Sequence, residues 1–178
     1  KEVEFLQYEA SGQDLQDKSF AEINQVKYAL DHSKLMRECR YFMEISGRAY
    51  IQNIETVLKW APEDFHVIGE FANNLAYLET NIIIFDREFF QREIYDYAKK
   101  NIRLEDNSYL ERGYAKAILV AIANDYKWFP FAVEPIIVGV GGTKNKLYGR
   151  GRWFSIRGTV ITILHSHFYR TAYSRRQR

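Results

Sequence analysis

A ten-residue apolar stretch, residues 114–123, constrains the fold of this chain more than any other segment. It carries one charged residue, Lys116, and its apolar residues cover most faces of an α-helix. The motif Ser108-x-x-Glu111 just before it has the form of a capping box, in which a hydroxyl and a carboxylate satisfy the free amides of a helix start. A helix that is apolar on most faces is usually central and buried. The sequence therefore predicts a buried helix here.

A second capping box, Ser19-x-x-Glu22, opens the first helical pattern of the chain. After it, apolar residues recur at the spacing of one helix face, at Phe20, Ile23, Val26 and Leu30. The pattern continues less regularly through residues 35–58, where the lone Cys39 is expected to be a small buried hydrophobe. These residues predict one long helix, or two helices broken near Ser46-Gly47, ending before Pro62.

The third helical pattern covers residues 63–100. Its apolar stripe includes Phe65, Ile68, Ala72, Leu75 and Leu78, and later Phe89, Phe90 and Ile94. The β-branched run at residues 82–85 is compatible with a short strand or with a buried helical turn, because periodicity does not separate the two. Lys99-Lys100-Asn101 is a suitable stop, since cations complement a helix C-terminus.

The character of the chain changes after residue 128. Six glycines fall between residues 139 and 158, among the β-prone runs 135–140, 152–156 and 159–168. Arg157-Gly158 is a suitable tight connection between the last two runs. These features predict a small β hairpin or meander, and the competing interpretation makes residues 159–176 a basic amphipathic helix.

The predicted fold class is mainly α. We expect a helical bundle body of three to five helices, followed by a small C-terminal β hairpin or meander and a basic tail. The expected organisation is a polar N-terminal arm at residues 1–18, a helical body at residues 19–128, and a glycine-rich basic C-terminal element at residues 129–178.

The net charge of +2 hides a strong asymmetry along the chain. Residues 129–178 hold nine Lys and Arg and one acid, Glu134, whereas the other residues hold 16 bases and 22 acids. Such polarity predicts that one end meets an anionic partner: nucleic acid, an anionic membrane surface or an acidic protein. An internal alternative is that the basic segment packs on the acidic body of its own chain or of a neighbour.

The basic segment mixes guanidinium groups with aromatic rings. Guanidinium pairs with phosphate in a bidentate way, and rings stack on unpaired bases or anchor protein interfaces. The residues predicted to bind an anionic partner are Lys144, Lys146, Arg150, Arg152, Trp153, Arg157, Tyr169, Arg170, Arg175 and Arg176.

His165-Ser166-His167 is the sharpest chemical motif. On a strand, residues i and i+2 point to the same side, so both imidazoles can share a divalent metal. The string resembles the first metal-binding strand of the PHP-type metal-dependent phosphoesterases. It also resembles the paired-histidine strand of rolling-circle nucleases, which implies Tyr169 or Tyr173 as nucleophile. Ile163 and Leu164 depart from the acid that the phosphoesterases place before the first histidine.

The leading functional hypothesis is non-enzymatic. It is a structural subunit of a larger assembly that docks through the basic aromatic segment onto an acidic protein surface, RNA or DNA, with no cofactor. One alternative is a phosphoesterase or nuclease using a divalent metal at His165 and His167, and another is contact with an anionic membrane. The sequence leaves the oligomeric state open.

An intracellular location is expected. A single cysteine forms no internal disulfide, and the apolar runs are shorter than the roughly 18–20 residues that span a bilayer. No signal peptide is visible, but the first residue is Lys1, so a removed targeting segment remains open.

Overall fold

A computed structural model of the chain describes residues 2–15, 17–47, 49–102, 109–140 and 147–148. The chain forms two compact units. The first unit consists of Lys1–Glu44 and Phe65–Phe129, and the second of Ile45–Asp64 and Pro130–Arg178.

The first unit begins with helices that are capped by side chains. A 3-10 turn at Gly12–Leu15 precedes α1 (Lys18–His32), and the short helix α2 (Lys34–Arg37) follows directly. At the start of α1 the carboxylate of Asp17 accepts a hydrogen bond from the backbone amide of Ser19. Asp17 is therefore the N-cap of α1, whereas the capping-box motif predicted Ser19 in that role. Ser33 ends α1 and caps α2, its hydroxyl accepting the amide of Met36.

A four-stranded mixed sheet completes the frame of the first unit. Its strand order is β1 (Tyr41–Ile45), β6 (Ile82–Asp86), β3 (Val67–Ile68), β7 (Trp128–Phe129). β3 runs antiparallel to β6 and parallel to β7. The first four residues of β6 are all buried, as expected for a central strand that is covered on both faces.

A two-stranded hairpin, β4 (Phe71–Ala72) with β5 (Tyr77–Leu78), lies between β3 and β6 in sequence. Its loop contains three consecutive non-glycine residues at positive φ, at 49° for Asn73, 56° for Asn74 and 69° for Leu75. Asparagine tolerates this left-handed conformation, whereas leucine adopts it at a cost.

One helical segment, residues 87–100, changes its winding in the middle. It consists of α4 (Arg87–Phe89), a π-helix (Phe90–Ile94) and α5 (Tyr95–Lys100). Asp86 caps its start by accepting the amide of Phe89. The predicted stop at Lys99-Lys100-Asn101 is confirmed.

The core of the first unit is built around α6 (Leu110–Ala123). Tyr114 and Ile118 are completely buried, and the Tyr114 ring packs edge-on against Phe85 of β6 and Phe90 of the π-helix. At Gly113 the backbone of α5 comes so close that an added Cβ would lie 2.8 Å from the carbonyl oxygen of Ala98. The predicted helix at residues 114–123 is confirmed, although α6 begins after Tyr109, with no side-chain cap. Its predicted burial holds for one side only, because Leu119, Val120 and Ile122 are exposed.

The described residues of the second unit form a three-stranded antiparallel sheet and one short helix. The strand order is β2 (Ala49–Ile51), β8 (Ile137–Val140), β9 (Leu147–Tyr148), and α3 (Ile54–Lys59) follows β2. The side chain of Asn53 braces the sheet, donating to the carbonyl of Glu134 at 3.0 Å and accepting the amide of Ile136 at 2.7 Å. The predicted β character of residues 135–140 is confirmed.

The prediction of a mainly α helical bundle is wrong. Counting residues 87–100 as one helix, the described part of the chain has five helices, only three of them with seven or more residues, together with a mixed four-stranded sheet. Four stretches that the sequence assigned to helices or left ambiguous are strands: residues 41–45, 49–51, 67–68 and 82–86. These stretches are rich in β-branched and aromatic residues, and their backbones pair with strands that are distant in sequence. Local periodicity does not reveal such pairing, so it gave the wrong prediction.

Cys39 also differs from its prediction, because the structure exposes it. It lies in the turn between α2 and β1, not on a helix with a buried face.

Candidate functional site

The predicted anion-binding residues and the two predicted metal ligands lie outside the described residues. Their placement therefore stays a prediction, as does the nucleophile role of Tyr169 or Tyr173. Among the residues that the structure describes, no group of three His, Cys, Asp or Glu side chains could hold a metal ion.

The candidate site that the structure does provide is a polar cleft of about 410 Å³ on the first unit. The N-terminal arm, the 3-10 turn, α1 and α5 each contribute to its walls. The lining side chains are Tyr8, Ser11, Asp14, Asn24, Lys27, Tyr28, Asp31, His32, Tyr95 and Lys99.

Asp14 is the buried acid at the base of the cleft, with 9% of its surface exposed. Its carboxylate accepts hydrogen bonds from the Tyr8 hydroxyl and, at 2.5 Å, from the Asn24 amide. Burial would raise the pKa of Asp14, but these hydrogen bonds and the nearby Lys99 ammonium outweigh burial and hold its pKa below the usual value. Asp14 is therefore ionised and fully engaged.

Tyr8 responds in the opposite direction. Its hydrogen bond to Asp14, reinforced by burial, raises the pKa of Tyr8 to about 12. The phenol therefore remains a hydrogen-bond donor across the physiological range, and it fixes the N-terminal arm to the 3-10 turn.

Asn24 joins α1 to α5 through its side-chain oxygen. That oxygen accepts from the Tyr95 hydroxyl at 2.8 Å and from the Lys99 ammonium at 3.0 Å. Lys99 also donates to the Tyr95 hydroxyl at 3.2 Å. The amide nitrogen of Asn24 donates to Asp14, so the Asn24 side chain connects an anion, a cation and a phenol. These contacts fix its orientation.

The outer wall of the cleft is formed by side-chain pairs one turn apart on α1. Lys27 lies 2.6 and 2.5 Å from the two carboxylate oxygens of Asp31. Tyr28 stacks on the His32 ring with centroids 4.0 Å apart, and the Tyr8 ring meets Tyr28 at 5.4 Å.

Glu4 anchors the rest of the arm at the N-terminus of α2. Its carboxylate accepts from the Ser33 hydroxyl at 2.7 Å and from the amides of Lys34 and Leu35 at 3.2 and 3.3 Å. The Ser33 hydrogen bond, followed by that from Lys34, lowers the pKa of Glu4. Glu4 and Tyr8 thus attach at two points a segment that forms neither helix nor strand.

A second polar feature, separate from the cleft, lies at the edge of the core. The Glu44 carboxylate on β1 accepts a hydrogen bond of 3.2 Å from the buried hydroxyl of Tyr114. Burial raises the pKa of Glu44 to about 7, and the negative charges of Glu22 and Glu111 act in the same direction, against the hydrogen bond. Burial and the adjacent carboxylate also raise the pKa of Tyr114.

Sequence reasoning did not find the cleft, because its residues are spread from position 8 to position 99. The only local signals were spacings of four residues, in the pairs Lys27/Asp31, Tyr28/His32 and Tyr95/Lys99. Such pairs are common on exposed helix surfaces, so they do not distinguish a cleft from an ordinary solvated face.

Comparison with protein-family models, with curated proteins and with solved structures finds no match to this chain. The fold and the cleft together define a two-unit protein of mixed α and β structure with a polar site on its first unit. In addition, no helix within the described ranges is both long enough and apolar enough to cross a membrane.

Proposed function

We propose that this protein is a non-enzymatic interaction subunit of a larger intracellular assembly. Its basic aromatic C-terminal segment, residues 129–178, docks onto an anionic partner, either an acidic protein surface or RNA or DNA. The observation that carries the proposal is charge segregation: this segment holds nine bases and one acid, against 16 bases and 22 acids elsewhere.

Ion pairs within the first unit support this proposal, because three of its cations are paired with nearby acids. Lys18 pairs with Glu22 at 2.9 Å and Arg40 with Asp86 at 3.2 Å, and Arg92 lies 3.4 Å from Glu88. Exposed ion pairs of this kind contribute little to stability, but they neutralise the cations that form them. In the C-terminal segment, by contrast, one acid stands against nine bases, so few partners of this kind are available within the segment itself.

The composition of the segment indicates how it would bind. Arginine recognises phosphate and carboxylate through its planar fork, while Trp153 and Tyr169 offer rings for stacking or for filling a partner's pocket. If the partner is a nucleic acid, affinity falls as salt rises, with a slope set by the number of phosphates neutralised.

Fluorescence anisotropy of the full chain tests the proposal, with a single-stranded RNA of about 20 nucleotides and a polyglutamate chain as probes. Three arginines of the segment are changed to glutamine, and three exposed lysines of the first unit serve as a charge-matched control. The variants are Arg170→Gln/Arg175→Gln/Arg176→Gln and Lys34→Gln/Lys100→Gln/Lys116→Gln.

For RNA binding, the arginine variant should weaken the affinity and reduce the log–log salt slope by up to about 2, since each arginine that neutralises a phosphate of a single strand contributes about 0.7 to the slope. The lysine variant should bind as the unchanged protein does. Polyglutamate binding with the same dependence on the arginines would indicate an acidic protein partner. The proposal fails if neither probe binds, or if the two variants behave alike. Binding only to anionic vesicles would instead support the membrane alternative.

A further inference from the structure

The formal charges lining the cleft are matched inside the protein. Lys27 is held by both oxygens of Asp31. Lys99 donates to Asn24 and Tyr95 and lies close enough to Asp14 to lower its pKa. The Lys27–Asp31 pair is exposed and is easily separated. Asp14 and Lys99, by contrast, belong to a part-buried network of hydrogen bonds, so a charged ligand that engaged either of them would have to break that network and lose its own hydration.

Polar groups of the lining remain available for a neutral ligand. Within the described part of the chain, the hydroxyls of Ser11 and Tyr28 have no hydrogen-bond partner. The Nδ1 atom of His32 lies 2.9 Å from the carbonyl oxygen of Tyr28. Because a carbonyl only accepts, Nδ1 is the donor of this contact, and Nε2 is the ring nitrogen that remains for a ligand.

The winding of residues 87–100 supports a functional cleft independently. A π-helix is rare and less favourable than an α-helix, and it occurs frequently at functional sites. The π-helix Phe90–Ile94 ends directly before Tyr95, and Lys99 follows about one turn later on α5. It leaves Phe90, Ile94 and Ala98 fully buried in the core while Tyr95 and Lys99 reach Asn24 on α1.

We propose that the cleft binds a small neutral polyhydroxylated ligand, a mono- or disaccharide. Sugar hydroxyls both donate and accept, so they can bond to Ser11, Tyr28 and His32 without separating the Lys27–Asp31 ion pair. A volume of about 410 Å³ falls in the range of small-molecule pockets. This inference is independent of the proposed C-terminal docking, because it involves only residues of the first unit.

Ligand-observed NMR on the full chain tests the inference. The probes are glucose, galactose, mannose, N-acetylglucosamine and maltose, with inorganic phosphate and glutamate as charged comparators. The ligand efficiency typical of small molecules places the dissociation constant of a monosaccharide near about 1 mM, within reach of the method. At least one neutral sugar should bind, and more tightly than either charged comparator.

A matched pair of variants locates the binding. Tyr28→Phe keeps the ring and removes one open hydroxyl of the cleft, and it should weaken sugar binding by about 3- to 10-fold, the worth of one neutral hydrogen bond. Tyr97→Phe removes a hydroxyl from an exposed tyrosine on α5 that does not line the cleft, and it should have no effect. The inference is overturned if none of the sugars binds, if phosphate or glutamate binds more tightly than all of them, or if the two variants have equal effects.

Discussion

Replacing Glu44 with glutamine should change how the stability of the protein depends on pH. Glu44 accepts a hydrogen bond from buried Tyr114, and burial raises its pKa from the ordinary 4.5 to about 7. Between these two pH values the folded state holds a proton that the unfolded state has released. Stability therefore falls as pH rises from about 4.5 to about 7, because the folded state must give up that proton.

The size of this effect follows from the shift in pKa. One pKa unit corresponds to about 1.4 kcal/mol, so for a fully buried carboxyl the rise from 4.5 to about 7 would change the free energy of unfolding by roughly 3.5 kcal/mol. The Glu44 side chain retains partial access to solvent, which screens the effect, and we expect about 2 kcal/mol. Glutamine keeps the size of the side chain and can still accept from Tyr114, but it does not titrate.

Urea unfolding at pH 5 and at pH 8 measures the effect. The free energy of unfolding of the unchanged protein should fall by about 2 kcal/mol more over this interval than that of Glu44→Gln. Glu38→Gln, at an exposed position between α2 and β1, is the control and should follow the unchanged protein. Parallel pH profiles for the unchanged protein and Glu44→Gln would refute the assignment of a protonated, buried carboxyl.

Three further predictions test the packing, the hairpin loop and the histidine motif. Gly113→Ala should destabilise the protein by about 1–2 kcal/mol in urea unfolding, because the Cβ would lie 2.8 Å from the Ala98 carbonyl and overpacking outweighs the gain in helix propensity; a more stable variant would contradict the close approach of α5 and α6. Leu75→Gly should raise the free energy of unfolding by up to about 1 kcal/mol, since glycine tolerates the φ of 69° better than leucine; a loss of stability would show that the Leu75 side chain contributes more than its backbone costs. The phosphoesterase or nuclease alternative predicts a stoichiometric divalent metal that is lost in His165→Ala/His167→Ala, and elemental analysis of both proteins without metal would rule it out.

The parts of the fold that the sequence predicted are those determined by local patterns. Residues 114–123 are apolar on most helical faces, and α6 lies there. Lys99-Lys100-Asn101 was recognised as a helix stop because a cation at a C-terminus is a local feature. The β-prone residues 135–140 contain β8, since glycine and proline bound a short apolar run.

The parts that failed depend on pairing between distant segments. Residues 41–45 have apolar positions that fit a helix face loosely, and they form a strand only because β6 lies beside them. At residues 82–85 the sequence is equally compatible with strand and helix, and burial on both faces decides for the strand. Asp17 replaces Ser19 as the cap of α1, because several residues near a helix start can each accept a free amide.

The cleft could not be predicted for a related reason. Asp14, Asn24 and Lys99 acquire their roles only when the 3-10 turn, α1 and α5 come together, and each alone resembles an ordinary surface residue. The π-helix that places Lys99 has no sequence signature that we could recognise.

The accessibility of the C-terminal arginines in the free protein tests the docking proposal most directly. Arginine-selective modification with phenylglyoxal, followed by mass spectrometry, gives a reaction rate for each arginine. Arg87 is an internal reference for a protected side chain, because its guanidinium donates to the carbonyls of Met36 and Arg37. The proposal predicts that four arginines of the segment react in the folded free chain nearly as fast as in urea: Arg150, Arg152, Arg157 and Arg170. Protection of these arginines to the level of Arg87 without any partner would mean that their charge is satisfied within the protein, and would contradict the proposal.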